Sequence, residues 1–116
     1  MNTKKKFKFS GESESFKLDD IVPQYGVSSR QILESLNIAN ENLEIPHPVH
    51  VHCNNLGTAG NIKSILDTVD AAQGRRMHLA HIQFYGYGDK GKKGFSSCAY
   101  ELAEKINKNN NISVDI

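Results

Sequence analysis

Apolar residues recur at helical spacing in three stretches of the chain, and each of these stretches is followed by a short, mainly apolar run. The helical positions are Ile32, Leu36, Ala39 and Leu43; Ile62, Ile65, Leu66, Val69 and Ala72; and Ala99, Leu102, Ala103 and Ile106. The runs over 49–53, 77–84 and 112–116 are predicted strands. An alternation of helix and strand is typical of βα units on a parallel sheet. We therefore predict an α/β fold with about three such units. A small doubly wound sheet fits this pattern as well as part of a barrel does.

Signals at the predicted helix ends support the same segmentation. Ser28 followed by Gln31 matches a capping box ahead of the first helix. Asn61 is placed to cap the second helix, and Gly74 is placed to end it. Ser96 or Ser97 is expected to open the third helix.

Residues 1–27 show no apolar period and are predicted to be an irregular lead-in to one domain over 28–116. The basic start is not followed by the apolar core of a secretory signal, and no stretch approaches the ~20 apolar residues of a membrane span. A formal net charge of +1 does not indicate a nucleic-acid partner. Cys53 and Cys98 lack disulfide or metal spacing, which indicates a reducing, cytoplasmic setting. Cys53 is expected to pack rather than to react.

Four of the five histidines fall in two predicted strands. His50 and His52 are two residues apart and therefore face the same side. His78 and His81 are three apart, so in a regular strand they face opposite sides and only one of them joins a common site. His52 and His81 are each nearest the carboxyl end of their strand, where ligands gather in parallel α/β folds. We select these two as candidate metal ligands.

Imidazole is a common ligand of zinc and related metals. The alternative is a half-buried strand whose histidines bond to backbone groups, and an HxH spacing taken alone favours that alternative. There is no GxSxG motif for a nucleophilic serine. The Gly57-Thr58-Ala59-Gly60 loop lacks the ending of a phosphate-binding P-loop, so nucleotide binding is rejected.

A longer pattern is more specific than HxH. The run from Pro46 to Gly57 reads PHPVHVHCNNLG, and it is followed by Gly60-Asn61, GRR at 74–76, HLAHIQF at 78–84 and ISVD at 112–115. In order and spacing these segments resemble the A subunits of formylmethanofuran dehydrogenase and of the related formyltransferase/hydrolase complex. The resemblance begins near Val27 and extends to the last residue. It identifies the chain as similar to about strands five to seven of an amidohydrolase-type (β/α)8 TIM barrel.

That resemblance implies a binuclear zinc centre in the full-length protein. His52 would correspond to the strand-five ligand and His81 to the strand-six ligand. An HxH after strand one, a carboxylated lysine on strand four and an aspartate on strand eight have no counterparts here, so the site is expected to be incomplete. Asp115 falls on about strand seven and is not taken as that aspartate.

The implied activity is the interconversion of N-formylmethanofuran with formate plus methanofuran, in one-carbon metabolism and methanogenesis. The implied partners are the other subunits of such an oxidoreductase or hydrolase complex and a methanofuran-type substrate. Asn54 and Asn55 are candidate substrate contacts, with turn formation as the alternative. Tyr85 stands where the family is expected to have histidine. The alternative function is a non-catalytic α/β binding or interaction module derived from the same barrel.

Overall fold

The computed structural model describes residues 16–116, in which short strands alternate with three helices. In chain order the elements are β1 (Ile21–Val22), β2 (Val27–Ser28), α1 (Ser29–Asn42), β3 (Val49–Val51), α2 (Ile62–Ala71), β4 (Met77–Leu79), β5 (Tyr87–Gly88), β6 (Ser96–Ser97), α3 (Ala99–Asn107) and β7 (Ile112–Val114). The strands β3, β4 and β7 form one parallel sheet in that order. The predicted α/β class with a parallel sheet is therefore confirmed.

Within the part of the chain that the structure describes, helices cover only one face of this sheet. Met77 and Leu79 of β4 are fully buried and share a core with Ile65 and Val69 of α2, both of which are also buried. Because side chains alternate along a strand, the residues between these positions point to the other face. On that face the register pairs His50 with His78. The core thus packs against the face of the sheet that carries Met77 and Leu79, and the histidines lie on the opposite face.

The first helix begins as predicted but turns a different side to the core. Ser28 Oγ accepts a hydrogen bond from Gln31 N at 3.1 Å, and Gln31 Oε1 accepts one from Ser28 N at 2.8 Å, so the capping box is confirmed. The buried residues of α1 are Leu33 and Asn37, whereas Leu36 of the predicted stripe is exposed. The apolar pattern was therefore about one residue out of phase with the packing.

Several predicted boundaries were wrong, because local turns and strand pairing, rather than the apolar runs, decide where these elements begin and end. The run over 77–84 is a strand only to Leu79, after which a 3-10 turn occupies Ile82–Phe84. The third helix starts at Ala99, and Ser96–Ser97 instead pairs with β5. The stripe of α2 is confirmed, with Ile65, Val69 and Ala72 buried.

Part of the predicted irregular lead-in has structure. Residues 1–15 lie outside the described residues. In residues 16–27, β1 pairs antiparallel with β2, and Leu18 is buried in the core. The absence of an apolar period therefore did not mean the absence of core contacts. The boundary between lead-in and domain stays a prediction.

None of the helices in residues 16–116 combines the length and the apolar character that a bilayer crossing requires.

Candidate functional site

Four histidine rings form a continuous row across the outward face of the sheet, which we call the histidine row: His78, His50, His52 and His81. Neighbouring ring centroids lie 4.9 Å apart for His78 and His50, 5.2 Å for His50 and His52, and 5.0 Å for His52 and His81. The strands β3 and β4 are parallel and in register, so that His50 lies beside His78. Both strands therefore present their imidazoles to one face.

The placement of both His78 and His81 on this face corrects the sequence prediction. The three-residue spacing puts the two side chains on opposite sides only if the strand continues through His81. The backbone of His81 is left-handed instead, with φ 55° and ψ 42°. This turn changes the side-chain direction after Leu79 and returns the His81 ring to the face that carries His78. A sequence pattern does not encode such a single-residue reversal.

His52 and His81 lie together at the carboxyl ends of adjacent strands, as predicted for a candidate metal pair. Their rings are 5.0 Å apart, and both side chains are exposed. Within residues 16–116, the three side chains whose ligand atoms lie close together are those of His50, His78 and Asp115. The pair of His52 and His81 therefore has no third ligand in this part of the chain. The geometry supplies two of the donors that a four-coordinate ion needs.

His78 is held on both sides of its ring by residues at the end of β7. Its Nδ1 lies 2.7 Å from Ser113 Oγ, and its Nε2 lies 2.8 Å from Asp115 Oδ2. The same carboxylate accepts a hydrogen bond from the backbone N of His81 through Oδ1, at 3.1 Å. These bonds lower the pKa of Asp115, the hydrogen bond from His78 having the larger effect. Asp115 is therefore hydrogen-bonded to two residues of the histidine row, His78 and His81.

The two candidate substrate contacts, Asn54 and Asn55, make intramolecular bonds. Asn54 Nδ2 donates to Ser29 Oγ at 3.1 Å. Asn55 has a left-handed backbone, with φ 68°. It binds the backbone of Phe16 through both ends of its amide, at 2.7 and 2.9 Å. These bonds join the loop after β3 to Phe16 and to the start of α1. Contact of either residue with a substrate stays a prediction.

Tyr85 does not lie on the histidine face. It is 1% exposed, and its hydroxyl donates to the backbone oxygen of Cys53 at 2.8 Å. Burial raises the pKa of this phenol. Cys53 is also buried, and burial raises the pKa of its thiol to about 12. Cys53 therefore packs, as expected, and Tyr85 joins the loop after β3 to the turn after β4.

Asn61 is a structural residue whose role the sequence pattern did not indicate. It lies at the start of α2, as predicted, but makes no side-chain cap bond. Its Nδ2 donates to the backbone oxygens of Asn55 and Phe84, at 2.9 and 2.8 Å, and its Oδ1 accepts from Tyr87 N at 3.1 Å. We call this residue the loop staple. A lone asparagine after glycine gives no sequence signal for three partners elsewhere in the chain.

Comparison with curated proteins finds relatives that match over most of this chain. It is 43% identical over 104 residues to the A subunit of the formyltransferase/hydrolase complex Fhc of Methylorubrum extorquens. It is 36% identical over 110 residues to the protein FwdA of Methanocaldococcus jannaschii. Each alignment covers 85% of this chain and 19% of the relative. The chain thus spans about a fifth of the length of these relatives. No family model matches it.

A solved structure agrees with the sequence relatives. The X-ray crystal structure of the formyltransferase/hydrolase complex (FhcABCD) from Methylorubrum extorquens with methylofuran contains a chain similar to this one, with a TM-score of 0.82 and 44% identity. The match covers 88% of this chain and 19% of that chain. The predicted resemblance to the A subunits is therefore confirmed in both sequence and fold.

Proposed function

We propose that this segment forms part of the catalytic barrel of a metal-dependent, amidohydrolase-type A subunit, which interconverts N-formylmethanofuran with formate plus methanofuran. The observation that carries the proposal is the convergence of His52 and His81 at adjacent strand ends, in a chain 43% identical to the Fhc A subunit. In this proposal the partners are the other subunits of such a complex and a methanofuran-type molecule. The setting is cytoplasmic, in keeping with two unpaired cysteines.

The shape of the sheet supports the barrel. In a (β/α)8 barrel, helices cover the outside of each strand and side chains of the opposite face fill the interior. Here α2 packs behind Met77 and Leu79, while the histidine row lies on the other face. The outer edges of β3 and β7 have no strand partner within residues 16–116. A sheet that continues on both sides would pair these edges and enclose the histidines.

The donor chemistry fits zinc or a related divalent ion. Two imidazoles whose rings are 5.0 Å apart offer nitrogen ligands of the type that zinc binds. A bound ion of this class supplies Lewis acidity toward a formamide carbonyl. His52 and His81 would hold that ion, and the left-handed turn at His81 fixes the direction of one ligand. In the proposal the remaining ligands of a binuclear site come from outside the described residues.

The test replaces the corresponding segment of the Methylorubrum extorquens relative with this chain and measures formate release together with zinc content. We expect the chimera to retain activity and zinc. His52→Ala or His81→Ala should abolish turnover and lower the zinc content, because each removes a metal ligand. His47→Ala is the matched control, because His47 is exposed and precedes β3. This control should leave both quantities unchanged.

The isolated chain should release no formate from an N-formyl amine, because two histidines do not complete a hydrolytic metal pair. Metal-dependent formate release by the pure chain would contradict the proposal that it is one part of the site. An active chimera that keeps its turnover and zinc in both His→Ala variants would exclude His52 and His81 as ligands. That result would favour the non-catalytic module.

A further inference from the structure

We propose that His50, His78 and Asp115 form a second, three-ligand site for a divalent transition-metal cation of the zinc class, distinct from the His52–His81 pair. One ligand atom from each of these three side chains lies within 4.8 Å of the other two. Two of these ligands, His50 and His78, belong to the histidine row, and the third, Asp115, directly follows β7. It stands on residues of this chain and does not depend on the proposed catalytic function.

The spacing of the three ligand atoms suits a tetrahedral ion. Zinc lies about 2.0–2.2 Å from nitrogen and carboxylate ligands, so ligand atoms in a tetrahedral site are about 3.4 Å apart. The separation of His78 Nε2 and Asp115 Oδ2 is 2.8 Å, and no separation in the group exceeds 4.8 Å. Small side-chain rotations therefore bring the three atoms to the distance that a bound ion requires.

Outer hydrogen bonds orient two of the three ligands. Ser113 Oγ binds Nδ1 of His78 at 2.7 Å, which directs Nε2 toward Asp115. The backbone N of His81 donates to Asp115 Oδ1 at 3.1 Å, which leaves Oδ2 toward the histidines. Metal-binding histidines and carboxylates in proteins are held by outer partners of this kind. The site is thus preorganised by backbone and hydroxyl groups that are not themselves ligands.

The third ligand distinguishes this arrangement from a simple hydrogen-bonded pair. A bond between His78 and Asp115 accounts for those two residues alone. The ring of His50 lies 4.9 Å from the ring of His78 and is exposed, so it adds an imidazole on the open side. Two imidazoles and one carboxylate leave a fourth coordination position open to solvent. Sites with three protein ligands and one open position are typical of reactive zinc.

The test titrates Zn2+ into the whole chain by calorimetry and follows Co2+ binding by its visible absorption. We expect one equivalent to bind. Asp115→Asn and His50→Ala should each weaken the affinity at least tenfold, since loss of an outer partner alone weakens metal binding by about 10–100-fold. His47→Ala is the matched control, because it removes an exposed imidazole that precedes β3 and lies outside the histidine row. Its affinity should match that of the unsubstituted chain.

Thermal unfolding with and without Zn2+ keeps the test independent of how well each variant folds. Zn2+ should raise the melting temperature of the unsubstituted chain and of His47→Ala, and should raise that of Asp115→Asn by less at the same Zn2+ concentration. Binding that disappears in His52→Ala and persists in Asp115→Asn would overturn the inference, while supporting the candidate metal pair. No Zn2+ binding to the unsubstituted chain would also overturn it. That result would leave the proposed function standing, since its site needs further ligands.

Discussion

The buried side chain of Tyr85 links two loops through one hydrogen bond. Its ring fills the core, and its hydroxyl finds one partner, the backbone oxygen of Cys53, at 2.8 Å. A buried hydroxyl without a partner costs about 1–3 kcal/mol, and the same holds for a buried carbonyl. The loop after β3 is therefore fixed to the turn after β4 at Cys53, the residue that follows His52.

Tyr85→Phe should lower the free energy of unfolding by about 1–3 kcal/mol, because the carbonyl of Cys53 loses its donor. Urea unfolding followed by circular dichroism measures the change. Tyr100→Phe is the control, since Tyr100 is 70% exposed and its hydroxyl faces water. The control should differ from the original chain by no more than about 0.5 kcal/mol. Equal stabilities for all three proteins would show that the hydroxyl of Tyr85 contributes nothing.

The candidate site could be predicted at some residues and not at others. Strand alternation placed His50 and His52 together, and the ends of the strands selected His52 and His81, which lie side by side. That His78 shares a face with His81 could not be predicted, because it depends on the left-handed backbone of His81. The role of Asp115 depends on the parallel register of β4 and β7, which brings distant residues together.

At the scale of the element, α1 packs through a side that its apolar pattern did not mark. Leu33 and Asn37 are one helical turn apart and face the core, where Asn37 Nδ2 lies 3.7 Å from Met77 Sδ. Asn37 Oδ1 is buried and has no hydrogen-bond partner among residues 16–116. Sequence patterns treat asparagine as a surface residue, and this is why the phase of the helix was predicted incorrectly. The capping box was predicted correctly because its two bonds are local.

Asn37→Leu should raise the free energy of unfolding by about 1 kcal/mol or more, because it removes a buried oxygen without a partner. Leucine is also the better helix former, by a few tenths of a kcal/mol. Asn40→Leu is the contrasting control, since Asn40 Nδ2 donates to His47 O at 2.8 Å. We expect the control to lose stability. A loss in Asn37→Leu, measured by the same urea titration, would contradict this account of α1.

At the scale of the whole molecule, residues 16–116 cover the sheet on one side only. The described residues form a flat body with extents of 45 × 38 × 19 Å. The outer edges of β3 and β7 expose backbone groups, and unpaired strand edges favour pairing with other chains. The alternation of helices and strands predicted this βα order. This alternation does not predict which strands pair with the edges of the sheet, because edge pairing joins residues that are far apart in sequence.

The isolated chain should therefore self-associate, which sedimentation velocity can measure over a range of concentrations. Val114→Lys should reduce the association, because a charge at the edge strand opposes pairing, and Val114 is 37% exposed. Ile38→Lys is the matched control, with the same change in charge on α1 at a residue that is 40% exposed. A monodisperse monomer with a sharp cooperative melt would contradict this prediction and favour an independent module.

The loop staple has a consequence for motion. Asn61 holds the backbone of Asn55, Phe84 and Tyr87 at once, and Gly57 N donates to Phe84 O at 3.1 Å. The segments that follow His52 and His81 cannot open separately without breaking bonds to this one side chain. Amide protons on the two segments should then exchange with solvent at a common rate, as one cooperative opening unit. The relative positions of the His52 and His81 rings would then be kept while this unit is closed and lost when it opens.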